Sequence, residues 1–242
     1  MFYYYIALLK SPLSPLTYQS EQMLQIGAIV EVPLSKRTTE GVVIAEVEKP
    51  SFSCELISST GKAFYPVKTL ELARFIAEYY VCSLGEALSL FVPYQQNTTV
   101  HIKETISTDI HLSHEQQKVY DYINEHAASL LFGDTGSGKT EIYMKLFEKS
   151  INEGKQVIFL LPEIGLTPQM KNRLKHHFGT HVAIWHSKIS TKKKEQILND
   201  LADGKVSIIA GTRSALFLPL SRLGLIVVDE EHDESYKSGN RP

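Results

Sequence analysis

Eight consecutive residues, Gly133-Asp134-Thr135-Gly136-Ser137-Gly138-Lys139-Thr140, have the types and spacing to hold a nucleotide phosphate. The pattern is glycine, four residues, then Gly-Lys-Thr. Gly133, Gly136 and Gly138 allow a tight turn that points backbone N–H groups at phosphate oxygens. Lys139 brings a point charge to the outer phosphates, and the Thr140 hydroxyl is placed to ligate Mg²⁺. The partner chemistry needs carboxylates, and Asp229-Glu230 follow the apolar run Leu225–Val228. Asp229 would hold Mg²⁺ through water, and Glu230 would orient or deprotonate the attacking water.

Certain elements must position these groups. Leu130–Phe132 reads as a short buried strand before the loop, and Glu141–Glu153 as a helix after it, with Ile142, Leu146 and Phe147 on one face. A helix N-terminus aimed at phosphate completes the site. Leu225–Val228 reads as a strand whose carboxyl end carries the acids, where parallel sheets bind ligands. Around these, Ser113 is expected to cap a helix running to about His126. Strands are expected at 157–161, 182–184 and 206–210, and helices at 139–153, 167–178 and 191–203. Near-continuously apolar strands alternating with helices predict a parallel sheet covered on both faces, an α/β domain.

The first ninety-five residues have a different grain. Met1–Leu9, Ala28–Val32 and Val42–Val47 read as strands joined by polar, turn-forming links, and 51–62 as irregular. Thr69–Tyr80 fits an amphipathic helix presenting Leu72, Phe75, Ile76 and Tyr79, and a second short helix covers Leu84–Phe91. The expected organisation is a small β-rich domain over 1–95, a linker over 96–111 and the nucleotide-binding lobe over 112–242.

Bulk properties set the outer limits. The 242 residues carry a net charge of −2, so binding to nucleic acid must come from local patches. Cys54 and Cys82 each stand alone, so a cysteine zinc site is not expected and two thiols of a cytoplasmic protein are. The apolar stretch Phe2–Leu9 is too short to span a membrane and lacks the marks of a signal peptide.

The box Asp229-Glu230-Glu231-His232 resembles that of superfamily 2 helicases, which implies a RecA-like first helicase lobe, and longer strings are more specific. Gly133–Thr140 with Glu141-Ile142-Tyr143, then Leu161-Pro162-Glu163-Ile164-Gly165-Leu166-Thr167-Pro168-Gln169, then Gly211-Thr212-Arg213-Ser214-Ala215-Leu216-Phe217, then Asp229 to Lys237, together resemble the replication-restart DNA helicases. The resemblance implies ATP and Mg²⁺ as ligands and single-stranded and forked DNA as substrates. It also implies primosome and single-strand-binding proteins as partners and 3′-to-5′ unwinding as the activity. It assigns Gln116, in Leu112-Ser113-His114-Glu115-Gln116, to the adenine edge, whose donors and acceptors an amide matches. It turns Glu163, Gly165 and Thr167 toward single-stranded DNA. Gly211, Thr212 and Arg213 would grip a DNA phosphate through N–H groups, a hydroxyl and a guanidinium. In the N-terminal part the resemblance points to a small domain that holds a nascent 3′ end, with Tyr18, Lys36 and Arg37 as contacts. Leu16-Thr17 stand where the family usually has an aromatic residue and an aspartate, and Ser35 where it has a turn glycine. A winged-helix module common in the family does not fit within 94–111, and a second helicase lobe and a cysteine-rich zinc insertion are expected only beyond Lys237. The 242 residues alone are therefore expected to fall short of unwinding.

Two readings of other classes stay open on the residues alone. A generic phosphate-loop kinase or GTPase has no use for the acidic box and the Gly-Thr-Arg loop. A DNA-binding module without catalysis would be indifferent to Lys139. The response of ATP turnover to single-stranded DNA separates the first from a helicase, and Lys139→Ala separates the second.

Overall fold

The computed structural model describes residues 1–95, 105–134 and 136–237. The described residues form two compact units, one of 1–95 with Phe217–Pro219, the other of 105–216 and 220–237.

In the first unit, six strands form one sheet: β1 (Phe2–Leu8), β2 (Leu16–Ser20), β3 (Ala28–Leu34), β4 (Arg37–Val47), β5 (Ser59–Phe64) and β6 (Tyr94–Gln95). Their order is β2-β1-β4-β3-β5-β6 and every pairing is antiparallel. Side chains alternate across such a sheet. Tyr4, Ile6, Leu8, Val30, Val32 and Val43 thus share one face with Tyr18. Ala7, Ile29, Val42 and Ile44 face the other way. Helices α1 (Val67–Tyr80) and α2 (Leu84–Leu88) cover that second face.

Three expectations change here. The polar residues 37–40 do not form the link: they pair with β3, and the turn is only Ser35-Lys36. Ser35 takes φ 56°, the left-handed conformation for which glycine is the easy choice. β5 forms within 51–62 although Ser59, Thr60, Gly61 and Lys62 are exposed, because backbone pairing with β3 does not depend on apolar side chains. Helix α1 buries Leu70, Ala73 and Ile76, while Phe75 is 60% and Tyr79 69% exposed. The smaller residues win the inner face because the cluster they enter is already filled by Tyr65, Leu88 and Phe91.

The second unit holds a four-stranded parallel sheet, order β10-β7-β9-β8, made of β7 (Gln156–Leu160), β8 (Val182–Trp185), β9 (Ile208–Gly211) and β10 (Leu223–Val228). The helices are α3 (His114–Glu125), α4 (Lys139–Asn152), α5 (Pro168–Phe178) and α6 (Thr191–Ala202). Their N-caps are written in the sequence. Ser113 and Gln116 form a reciprocal capping box, Thr167 accepts from the Met170 N–H and Ser190 from the Lys193 N–H. The core joins Met144, Phe147 and Ile151 of α4, Val157 and Phe159 of β7, Leu174 and Phe178 of α5, and Ile208 and Ala210 of β9.

Residues 105–111, expected as part of the linker, belong to this unit. The Ile106 N–H donates to Asn152 Oδ1 at 2.8 Å, Asn152 Nδ2 donates to the Ile106 carbonyl at 2.9 Å, and Ile106 and Ile110 pack on the core. Residues 96–104 of the expected linker lie outside the described residues.

The expected strand Leu130–Phe132 is not a strand. Leu130 is 80% and Phe132 93% exposed. A strand needs a neighbour for its N–H and C=O groups, and this segment is instead set apart from β10 by a cavity of about 660 Å³ lined by both.

Candidate nucleotide site and carboxyl-edge loops

All four parallel strands end toward one edge, and a loop follows each of them. Glu163–Gly165 is a 3-10 turn after β7, His186 follows β8, Thr212-Arg213 follows β9, and Asp229-Glu230 follows β10. The phosphate loop opens onto α4, whose N-cap is Gly138 at φ 84°. Gly136 has φ 86°, so two left-handed glycines shape the turn as expected. Thr135 lies outside the described residues. Lys139 Nζ donates to the Gly133 carbonyl and, at 3.1 Å, to the Asp134 carbonyl, which keeps the cation inside the loop. Ser137 bonds back to the Asp134 carbonyl at 3.2 Å, and Thr140 is half-buried in the first turn of α4.

Gln116 reaches this loop from α3. Its Nε2 donates to the Gly138 carbonyl at 3.3 Å while its Oε1 accepts from the Ser113 N–H at 2.8 Å. A Cβ on Gly138 would come within 2.2 Å of that Nε2 and push the amide aside, while the φ of 84° is what favours glycine there. Both ends of the amide are thus engaged by the protein, which makes Gln116 a positioning residue for the loop in this structure.

The acids sit close by. Burial and then the neighbouring Glu230 carboxylate hold Asp229 above its ordinary value, and Lys139 offsets this only in part. Glu230 occupies φ 49°, a costly conformation for a non-glycine residue of the kind found at functional turns. Glu230 and Glu231 flank His232 at 3.5 and 3.6 Å. Two tyrosines brace this turn, and neither was expected from the sequence. Tyr143, buried on α4, hydrogen-bonds the Asp229 carboxylate, and burial followed by that carboxylate pushes its hydroxyl up to about 12. The Tyr236 hydroxyl donates to the Asp229 backbone carbonyl at 2.8 Å. The only signal for Tyr143 is its helical position one turn past the phosphate loop.

The remaining loops are placed as follows. Glu163 pairs with Lys188 at 3.2 Å on the surface. Gly165 closes the 3-10 turn and Thr167 caps α5. Gly211 passes so close to Trp185 that a Cβ would lie 2.2 Å from its carbonyl oxygen. Arg213 is exposed and donates to the Lys237 carbonyl. An Arg173–Glu141 ion pair links α5 to the first turn of α4. Burial, and after it Lys171, hold His186 below its ordinary value.

The first unit treats its three candidates differently. Lys36 and Arg37 are exposed at the β3–β4 turn. Tyr18 is a correction: it is 4% exposed and its hydroxyl donates to the Pro33 carbonyl at 2.9 Å, so it serves the sheet core and offers no free hydroxyl to DNA.

The arrangement can grip a polyphosphate between a glycine loop, a lysine and a helix start, with a charge-starved carboxylate at hand for a divalent cation. Residues 113–241 match the DEAD/DEAH box helicase family, which is more than half of the chain. The chain belongs to that family. Residues 6–93 match the 3′DNA-binding domain (3′BD) family. The helicase match begins at Ser113, the cap of α3 that carries Gln116. Among relatives, the chain is similar to Replication restart protein PriA of Helicobacter pylori (strain ATCC 700392 / 26695), 48% identical over 100% of this chain and 39% of that protein. It is similar to Replication restart protein PriA of Rickettsia felis, 36% identical over 96% of this chain and 38% of that protein. The protein of the same name from Bacillus subtilis (strain 168) is 38% identical over 78% of this chain and 23% of its own length. The chain thus spans 39% of the length of the Helicobacter relative. Among the described residues, no helix is long and apolar enough to cross a membrane.

Proposed function

We propose that this chain supplies the ATP-binding lobe and a DNA-contacting domain of a replication-restart helicase that translocates 3′ to 5′ on forked DNA. The observation that carries the reading is the convergence at one sheet edge of the Gly136/Gly138 turn, Lys139 and the Asp229-Glu230 turn. ATP binds through the backbone of 133–138, Lys139 and Thr140, with Gln116 fixing the loop and adjoining the base. Mg²⁺, when bound, supplies charge neutralisation to the phosphates. Thr140 and Asp229 hold it, and its charge offsets the burial and the Glu230 repulsion that Asp229 bears. Glu230 takes the proton of the attacking water. Single-stranded DNA runs past Glu163–Thr167 and Gly211–Arg213, where N–H groups and a guanidinium meet phosphates. Lys36 and Arg37 add phosphate contacts in the first domain. The protein works in the cytoplasm with primosome and single-strand-binding proteins.

Calorimetry with ATP and Mg²⁺ tests the reading. Lys139→Ala should weaken binding by about 3 kcal/mol, roughly a hundredfold, since charge-assisted phosphate contacts are strong. Unchanged affinity would remove the loop from the nucleotide site. Turnover that fails to rise with single-stranded DNA in a hydrolysing preparation would favour a phosphate-loop enzyme of another kind.

A further inference from the structure

We propose that Asp109, His176 and His177 form a binding site for a divalent transition cation of the Zn²⁺ type. One ligand atom from each lies within 4.8 Å of the others. The two histidines sit in the last turn of α5, and Asp109 lies on the segment that leads into α3. The decisive feature is His177. Its side chain is 12% exposed and its Nδ1 lies 3.0 Å from Asp109 Oδ1. Yet Nδ1 is buried without a hydrogen bond. The two atoms are close but not aligned as donor and acceptor. Metal ligation has no such requirement. The ion lies along the imidazole lone pair and the carboxylate comes to the ion from the side. Two ligands with bonds of about 2.0–2.2 Å at a tetrahedral angle are themselves roughly 3.3–3.6 Å apart, a few tenths of an ångström from the separation seen here.

The donor set chooses the ion. Two imidazoles and one carboxylate suit Zn²⁺ and its neighbours, whereas Mg²⁺ and Ca²⁺ prefer oxygen ligands. The site is therefore chemically distinct from the Mg²⁺ position at the phosphate loop. Asp109 and His176 are exposed, so water completes the coordination. The cysteines play no part.

The position gives the ion a consequence. Segment 105–111 is already tied to α4 by the Ile106–Asn152 pair and by Thr108, whose N–H donates to Glu148 Oε2 at 3.0 Å. A cation adds a tie to α5. Soon after Asp109 the chain reaches Ser113 and Gln116, which seats on Gly138. Ion binding thus fixes the lead-in to the phosphate loop. That consequence rests on the nucleotide reading, but the site does not, and nucleotide is left out of the test.

The 242-residue chain, stripped with chelator, is titrated with Co²⁺ by visible d–d absorption and with Zn²⁺ by calorimetry. One saturable equivalent is expected. Asp109→Ala, at an exposed position, and His177→Ala should each weaken it at least tenfold, roughly the loss expected from even an outer-shell change. His126→Ala should leave it unchanged. Zn²⁺ should also slow amide exchange across 105–112 in the parent chain and not in the Asp109→Ala protein. Absence of saturable uptake, or equal uptake by the Asp109→Ala protein, overturns the site. Uptake that leaves exchange across 105–112 unaltered overturns the tie.

Discussion

Strands β4 and β9 show how differently the two sheets are built. β4 lies between β1 and β3, runs for eleven residues, and grows out of an exposed turn at Ser35-Lys36. β9 lies between β7 and β8, runs for four buried residues, and stops at Gly211 where the Thr212-Arg213 loop begins. Antiparallel neighbours send the chain back at both ends, so polar loops scatter to opposite edges. Parallel neighbours stop together, so the loops after β7, β8, β9 and β10 gather along one edge. The lesson is that strand direction, more than residue type, decides where several weak groups can act on one ligand. The first unit presents Lys36 and Arg37 at a single turn, while the second assembles a phosphate loop, an acidic turn and two further loops.

The largest expected effect tests whether that edge holds the chemistry. Glu230→Gln keeps the shape of the side chain and removes its basicity. ATP turnover in a preparation stimulated by single-stranded DNA should fall by about two to four orders of magnitude, with ATP affinity retained. Turnover within a few-fold of the parent would take the base away from the acidic turn.

Next come two glycines that let backbone approach backbone, one in each unit: Gly211 at the end of β9 and Gly85 in α2. A Cβ on Gly211 would lie 2.2 Å from the Trp185 carbonyl oxygen, and one on Gly85 1.8 Å from that of Leu8. Neither neighbour can swing aside, so each Gly→Ala change should cost about 2–3 kcal/mol. By amide exchange, Gly211→Ala should open β8 and β9, and Gly85→Ala should open β1 and α2. Full protection of β9 in Gly211→Ala would show that the parallel strands are not set by this contact.

How far this was legible differs between the units for the same physical reasons. The caps Ser113 and Thr167, the extent of α4 and the buried strands of 156–160 and 208–211 stand out, because buried parallel strands are apolar throughout and caps are local chemistry. Leu130–Phe132 is equally apolar but has no strand beside it, and apolarity alone cannot supply hydrogen bonds. In the first unit, β5 hides in Ser59-Thr60-Gly61-Lys62 because only its backbone is used. The face of α1 misleads because Phe75 and Tyr79 are larger than Ala73, yet close packing favours the smaller residue. Within the site, residue types identify the loop and acids, but the bracing by Tyr143 and Tyr236 depends on tertiary placement, with the helical position of Tyr143 past the loop as its one local trace.

A smaller effect sharpens the contrast between function and stability at the parallel edge. Burial and Glu230 raise Asp229 above 3.8, so its charged form is disfavoured in the native state. A carboxyl raised on folding helps the native state below its unfolded pKa, and that help is lost as pH rises through the folded value. Near pH 7 an amide carries no such cost. Asp229→Asn should therefore stabilise the nucleotide-free chain by about 1 kcal/mol at pH 7, with the gain fading toward pH 4, and it should abolish the Mg²⁺ dependence of ATP binding. Denaturant midpoints across pH measure this. A loss of stability at pH 7 would mean that the Tyr143 hydrogen bond outweighs the desolvation.

The smallest effect belongs to the antiparallel unit. Lys36 and Arg37 are the exposed cations of the β3–β4 turn, and the exposed Glu40 lies three residues along the same strand. These two side chains act on DNA as phosphate contacts alone. Each neutralised phosphate releases counterions, so the logarithm of affinity falls with the logarithm of salt by about 0.7 per contact on a single strand. Replacing both by Gln should then lower the salt slope of DNA binding by roughly 1.4 and weaken binding about equally for every sequence. Fluorescence anisotropy of a 3′-tailed oligonucleotide at several salt concentrations gives both quantities. A sequence-dependent loss with an unchanged slope would mean that this turn reads bases. The dispersal of charge in the antiparallel sheet would then no longer explain why its contacts are weak.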